Sequence, residues 1–226
     1  MQITQQRSAL VDSILPGQGL LRDAALVVGF TFIVIMFAQI AVKLPFTPVP
    51  ITGGTLGVLL TGGALGANRG AASLVLYMLI GMVGIPVFAP TSGALEGQLV
   101  HVILPWLGEG DLIWDRASGG YIVGYIGAAW VVGRLAEQGW DRSWRVLLAL
   151  LAGNVVLYLP GLAWLWFWAA NLASEATREA WMATGSPLGA TLQWGLWPFV
   201  VGDLTKLYVA SVALPGAWAL FGRKER

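Results

Sequence analysis

The chain reads as long uncharged runs separated by short polar corners. The first run, 23–42, carries no charge after Asp23 and is stopped by Pro45. A helix that crosses a bilayer needs about 20 apolar residues, so this run predicts a first span. KLPFTPVPIT follows, with three prolines between Pro45 and Pro50. Each ring fixes its own φ and pushes the preceding residue toward extended geometry, which predicts a stiff, non-helical loop. The next apolar run, 53–66, is short and glycine-rich and predicts a tilted or deeply packed second span. Asn68, Arg69 and Gly70 read as a tight connector to a third span over 71–88.

The stretch 89–118 holds Glu96, His101, Glu109, Asp111 and Asp115 and predicts a partly ordered external loop. A fourth span is expected over 120–135, and a charged, Trp-flanked corner runs from Trp140 to Arg145. The fifth, 146–168, ends in the aromatic belt WLWFW, the kind of residues that settle at a membrane interface. The segment 169–189, with Glu175, Arg178 and Glu179, reads as a short amphipathic surface element. A sixth span over 191–220 contains Pro198 and is expected to bend there. The pattern predicts an all-α integral membrane protein with six transmembrane helices in a single membrane domain covering 1–226.

Composition supports that reading. Of 226 residues 57% are hydrophobic and 11% charged, with mean hydropathy +0.71, whereas about a quarter of a soluble domain is charged. Six spans leave no room for a separate soluble domain. A net charge of +1 supplies no field to gather nucleic acid. No cysteine and one histidine argue against disulfide, thiolate and metal-cluster chemistry. The first twenty residues lack a signal-peptide pattern, so the first span is expected to direct insertion. Counting basic residues by loop puts nine on one side (Arg7, Arg22, Arg69, Arg134, Arg142, Arg145, Arg223, Lys224, Arg226) and three on the other (Lys43, Arg116, Arg178). The richer side is cytoplasmic, so both termini are expected there, with the Pro-rich loop outside.

The strongest chemical signal is GDLTK. Asp203 and Lys206 stand three residues apart in the sixth span and share one helix face. Each charge at bilayer depth costs about 2.5–3.5 kcal/mol on insertion scales. The pair is either a buried ion pair that fixes packing or a polar site in a cavity, with Lys206 neutralising a substrate anion and Asp203 accepting from N–H groups. From a boundary near Thr191, Asp203 lies at most about 18 Å deep, within reach of a pocket open to the outside and lidded by the Pro-rich loop. Ala25 and Gly29 have small-xxx-small spacing, expected to serve close packing within the subunit or, less readily, to dock a partner. Trp164, Trp166 and Trp168 read as belt residues or as a substrate stack, and His101 as exposed or interfacial. No GK[ST] follows Gly119, Gly120 and Gly124, so no nucleotide-binding loop is visible. A membrane-embedded enzyme with Asp203 as base stays open, although no nucleophile or metal set accompanies it.

Four strings carry a resemblance over roughly Leu26 to Ala213: LPFTPVPIT (Leu44 to Thr52), LVLYMLIGMVGIPVFA, SGGYIVGY (Ser118 to Tyr125) and GDLTK (Gly202 to Lys206). They resemble the BioY family, the biotin-capturing S components of energy-coupling factor (ECF) transporters. The resemblance implies six helices with cytoplasmic termini in the inner (plasma) membrane, an outward-opening high-affinity biotin pocket, no cofactor, and partners in a transmembrane T component and ATPase subunits. An S component for another vitamin such as thiamin is the alternative within this class. By position, Pro45 to Thr52, including Phe46 and Thr47, match the loop that closes over the vitamin. Gly119, Gly120 and Tyr121 match the GGY element, and Asp203 with Lys206 match the GD-x-x-K pair. Asp203 is then expected to take ureido hydrogens, Phe46 and Tyr121 to flank the bicycle, and Lys206 or Arg116 to hold the carboxylate, the alternative being that Asp203 and Lys206 serve the same end of the ligand. Ser92 is a further candidate in the 89–118 stretch. Two features depart from the family: Gly53 and Gly54 stand where a Gln is common, and the link before GGY is extended. Seen through the resemblance, Ala25 and Gly29 match the face that meets the T component.

Overall fold

The computed structural model describes residues 9–90, 100–101 and 109–222. A short helix, α1 (Leu10–Ile14), precedes α2 (Leu20–Gln39). The chain then turns extended: β1 (Ala41–Val42) pairs antiparallel with β2 (Ile51–Thr52), Ala41 opposite Thr52. On its other edge β1 pairs with β3 (Val100–His101). All three prolines of the first loop lie in the connection between β1 and β2, where no ladder hydrogen bond needs their missing N–H. Ile40 to Val42, expected in the first span, belong to this extended corner instead.

α3 (Gly54–Leu65) and α4 (Ala67–Met82) are joined by Gly66 alone. Its φ of +81° is one that side-chain-bearing residues rarely adopt. Asn68, Arg69 and Gly70 are therefore part of α4 and not a connector. α4 stops at Met82, six residues before the expected end, and Gly84 turns the chain at φ +93°. The remainder is a 3-10 turn at Ile113–Asp115, α5 (Gly119–Ala136), a 3-10 turn at Trp140–Arg142, α6 (Val146–Asn171), α7 (Glu175–Met182) and α8 (Pro187–Gly195). A 3-10 turn at Trp197–Phe199 then leads into α9 (Val200–Phe221). The bend expected at Pro198 is a complete break between α8 and α9.

Among the described residues three runs are long and apolar enough to cross a membrane: Leu20–Gln39, Val146–Asn171 and, through the break, Pro187–Phe221. α3 is too short for that but sits at the centre, with ten of its twelve residues buried. Its glycines let backbones approach. A Cβ on Gly62 would stand 2.6 Å from the Ala129 carbonyl of α5, and one on Gly124 of α5 would stand 2.6 Å from the Leu157 carbonyl of α6. Ala25 and Gly29, in contrast, are exposed on α2, and nothing lies within 4 Å of a Cβ built on Gly29. Their expected role in packing within the subunit is thus not what the fold gives them.

Polar bonds gather one set of helix ends. Arg69 of α4 and Arg22 of α2 both grip Asp12 of α1, at 2.6 and 3.0 Å. Glu137, just past α5, accepts the Ala67 N–H at the start of α4 at 2.9 Å. Trp218 of α9 donates to Asp141, beside the start of α6. α1 closes this end, with Leu10 in the core beside Leu59 and Leu214. The sheet, the turn before α5 and the α7–α8 pair lie at the other.

Candidate functional site

Below the sheet, α2, α3, α4, α5, α6 and α9 surround a cavity of about 60 Å³. A water takes about 15 Å³ by this measure, so a vitamin-sized solute enters only if part of the lining moves. Val49 and Pro50 of the Pro-rich connection form part of the wall, Tyr121, Tyr125, Tyr158 and Phe199 give it aromatic faces, and Asp203, Lys206 and Arg116 are its charged residues. Tyr121 and Tyr158 meet edge to face with ring centres 5.8 Å apart.

Asp203 is buried and accepts three hydrogen bonds. Lys206 Nζ donates to Oδ1 at 2.9 Å, while the Tyr158 hydroxyl and Asn154 Nδ2 (3.3 Å) donate to Oδ2. Lys206 also donates to Thr55 Oγ1 at 3.0 Å. A carboxylate has about four acceptor positions and a lysine ammonium three donors. Hence, among the described residues, one acceptor on Oδ1 and one donor on Nζ stay open side by side. The helical spacing of three residues sets that adjacency, and the α3 threonine and α6 side chains hold it.

Arg116 lies in the turn before α5 and is buried at 3% exposure. Nη1 bonds Glu109 (3.0 Å) and Asp111 (2.9 Å), and Nη2 donates to the Ala89 carbonyl at 2.6 Å. The guanidinium stands 5.4 Å from the Phe88 ring centre. Its Nε is buried and makes no hydrogen bond among the described residues. Trp164 and Trp168 brace this turn by donating to the Arg116 and Asp115 carbonyls at 2.8 and 3.4 Å. None of the three belt tryptophans lines the cavity.

The α8–α9 break is bonded into the same region. Pro198 has no N–H to offer the Trp194 carbonyl four residues earlier, and the Phe199 N–H goes to Leu196, which strands the Gly195 carbonyl. Thr47 Oγ1 donates to the first at 2.7 Å and the Tyr121 hydroxyl to the second at 2.8 Å. The Pro-rich connection and α5 thus complete the hydrogen bonding of a broken helix.

Of the residues expected at the site, Asp203, Lys206, Tyr121 and Arg116 line the cavity together. Phe46, Thr47 and Gly120 do not. Phe46 is 55% exposed, Thr47 is turned to α8, and Gly120 is packed against Pro160 and Trp164, where a Cβ would collide. Ser92 lies outside the described residues, and of His101 only the backbone, in β3, is described. Sequence reasoning missed Thr55, Tyr158 and Asn154. The last two stand four residues apart in an otherwise uncharged run, and that polar pair on one helix face is the signal that could have revealed them. Among the described residues no group of three His, Cys, Asp or Glu could hold a metal.

Comparison with known proteins places this geometry. The model of the BioY family matches residues 5–223. A protein of Rhizobium etli named biotin transporter BioY is 30% identical over 201 residues, 84% of this chain and 90% of that one. The biotin transporter BioY of Thermotoga maritima is 30% identical over 183 residues, 81% of this chain and 88% of the relative. In fold, the chain is similar to a crystal structure described as the S-component for biotin from an ECF-type ABC transporter. The TM-score is 0.65 at 19% identity, over 92% of this chain and 100% of that one.

Proposed function

The chain belongs to the BioY family, and from that premise we propose that it captures biotin as the substrate-binding subunit of an ECF-type transporter. It is a transport protein of the membrane, not an enzyme. One observation carries the assignment of the ligand: an acceptor on Asp203 and a donor on Lys206, 2.9 Å apart in an aromatic-walled cavity, are both left open among the described residues. A cyclic urea presents an N–H and a C=O side by side, the complement of that pair. Its two N–H bonds diverge, so Asp203 takes one of them. Tyr121 and its aromatic neighbours flank the bicycle, and the buried Nε of Arg116 meets the valerate carboxylate. Val49 and Pro50 ride on the connection that covers the cavity, and its displacement admits the ligand.

In this reading α2, α3, α4, α5, α6 and the broken α8–α9 all cross the plasma membrane. α3 spans only about 18 Å, which is tolerable because its neighbours, not lipid, surround it. Arg22, Arg69, Arg134, Arg142 and Arg145 fall at the end closed by α1, with Lys43, Arg116 and Arg178 at the other. That asymmetry supports cytoplasmic termini. Coupling to uptake is through a T component and ATPase subunits, because the chain carries no nucleotide-binding motif of its own.

Equilibrium binding of labelled biotin to the purified protein is the test. A dissociation constant in the nanomolar regime, about −12 kcal/mol, is expected, with a loss of roughly a hundredfold or more for Asp203→Asn and for Lys206→Ala. Amidating the valerate should weaken binding to the wild type but not to Arg116→Gln. Absence of saturable binding, or displacement of biotin by thiamin at equal concentration, overturns the assignment.

A further inference from the structure

We propose that Asn154 is a positioning residue for ligand capture: from outside the cavity it occupies Asp203 Oδ2, so that the carboxylate keeps its open acceptor on Oδ1, toward the ligand. The inference rests on the capture reading and adds a residue that does not face the cavity. Asn154 lies instead in a groove between α6 and α9, walled by Leu151, Val155, Leu196, Val200 and Leu204. Its side chain is buried, and its hydrogen bond to Asp203 Oδ2 at 3.3 Å is its one side-chain bond among the described residues.

The terminal torsion of an aspartate is broad, so a donor on one oxygen alone does not fix the plane of the carboxylate. Lys206 holds Oδ1 from the same helix. Asn154 and Tyr158, one turn apart on α6, both reach Oδ2 and fill its two lone pairs. Without Asn154, Oδ2 regains an open acceptor on the groove side and keeps Tyr158 as its one donor, so the plane of the carboxylate is held less firmly toward the cavity. A primary amide suits this task because it donates without charge. A polar amide placed among leucines and valines at membrane depth is costly unless a partner takes its hydrogen bond, and the partner here is the ligand-facing acid itself.

The test combines two substitutions with a change in the ligand. Asn154→Leu fills the site with a side chain branched at the same atom and Asn154→Ala empties it, yet both remove the donor. Binding is measured per folded protein for biotin and for the two isosteric cyclic carbamates in which one or the other ureido N–H is replaced by oxygen. Both variants should bind biotin about tenfold more weakly or worse, to the same extent, as expected for losing a hydrogen bond to a charged group. Against the carbamate that lacks the N–H facing Asp203, wild type and variants should be equal. A packing role predicts the reverse: Leu and Ala differ from each other and all ligands weaken alike, which overturns the proposal. Unchanged biotin affinity in both variants, while Asp203→Asn abolishes binding, overturns it and leaves the capture reading standing. Failure of the wild type to bind biotin removes the capture reading itself. If Asn154→Leu does not fold, the ligand comparison on Asn154→Ala decides alone.

Discussion

The bond from Thr47 to Trp194 ties the Pro-rich connection to the broken helix, and Thr47→Val removes it with little change in shape. Two buried backbone groups then lose a partner: the Trp194 carbonyl, 2.7 Å from the hydroxyl, and the Val49 N–H, which the same oxygen accepts at 3.2 Å. A buried polar group left unpaired costs about 1–3 kcal/mol. Only the Trp194 bond joins the connection to α8, so that share of the cost falls on the closed arrangement. A bias of about 1–3 kcal/mol changes a two-state population by roughly 5–150-fold. If the connection must lift for biotin to leave, the release rate should rise by a factor in that range while the association rate changes little. Chase of labelled biotin from the protein in nanodiscs reads the first quantity, and a melting curve reads the stability cost of the second group.

The same geometry supplies an internal control. Pro198→Ala restores an N–H four residues after Trp194, so Thr47→Val should cost less in that background than in the wild type. Equal cost in both backgrounds would show that Thr47 does not stand in for the donor that proline removes. An unchanged release rate together with an unchanged melting temperature would refute the assignment of the bond altogether.

Three further outcomes follow from particular contacts. Gly62→Ala places a Cβ 2.6 Å from the Ala129 carbonyl, and overpacking of this kind costs about 1–3 kcal/mol; a melting temperature no lower than wild type would contradict the close approach of α3 and α5. A Cβ on Gly29 meets nothing within 4 Å, so with Gly29→Trp binding and stability should survive while coupled uptake in cells is lost; loss of binding as well would assign Gly29 to packing. Burial opposes ionisation of Asp12, but hydrogen bonds from Arg69 and Arg22 outweigh it and hold the carboxyl below the ordinary aspartate value. Its contribution is therefore complete above about pH 4 and disappears as pH falls through the lower, folded value. Thermal unfolding followed from neutral pH downward should show a steeper acid loss for the wild type than for Asp12→Asn, and parallel curves would exclude the Asp12 cluster as the cause.

Much of the architecture was legible because uncharged runs of this length have few other uses. The boundaries were harder, and for specific reasons. Asn68 and Arg69 look like a loop, yet Gly66 makes the turn and Arg69 enters the helix because Asp12 and Asp23 receive its guanidinium. The α4 end was overestimated because Val83 to Phe88 are apolar without being helical, and burial rather than periodicity keeps Phe88 apolar. GDLTK was conspicuous as two charges in a lipid-like run. Asn154 and Tyr158 were not, since neither carries charge and nothing in the linear pattern says that they face Asp203. The Pro-rich string marked the right segment but not the direction of its side chains: Val49 and Pro50 face the cavity, while Phe46 is exposed and Thr47 is used on α8. Gly120 was noticed for its motif, whereas its place in the fold answers to the α6 backbone.

A buried ion pair is by itself a poor way to stabilise a membrane helix. Taking Asp203 and Lys206 to bilayer depth costs about 2.5–3.5 kcal/mol each on insertion scales, and replacing such pairs with apolar side chains is often neutral or stabilising by about 1–4 kcal/mol. The surroundings meet most of the hydrogen-bonding demand, through Asn154, Tyr158 and Thr55, but leave one donor and one acceptor open toward the cavity. A pair kept only for packing would have no reason to stop short of saturation where it borders the cavity. Asp203→Leu with Lys206→Met, made together with Asn154→Leu, Tyr158→Phe and Thr55→Val so that none of their hydrogen-bond partners is stranded, separates the two reasons for keeping the charges. If the pair exists for the ligand, the variant should melt at or above the wild-type temperature and bind no biotin. A variant that cannot fold, while Asp203→Asn folds and still binds, would make the pair a structural element and take away the basis for placing the ureido ring beside it.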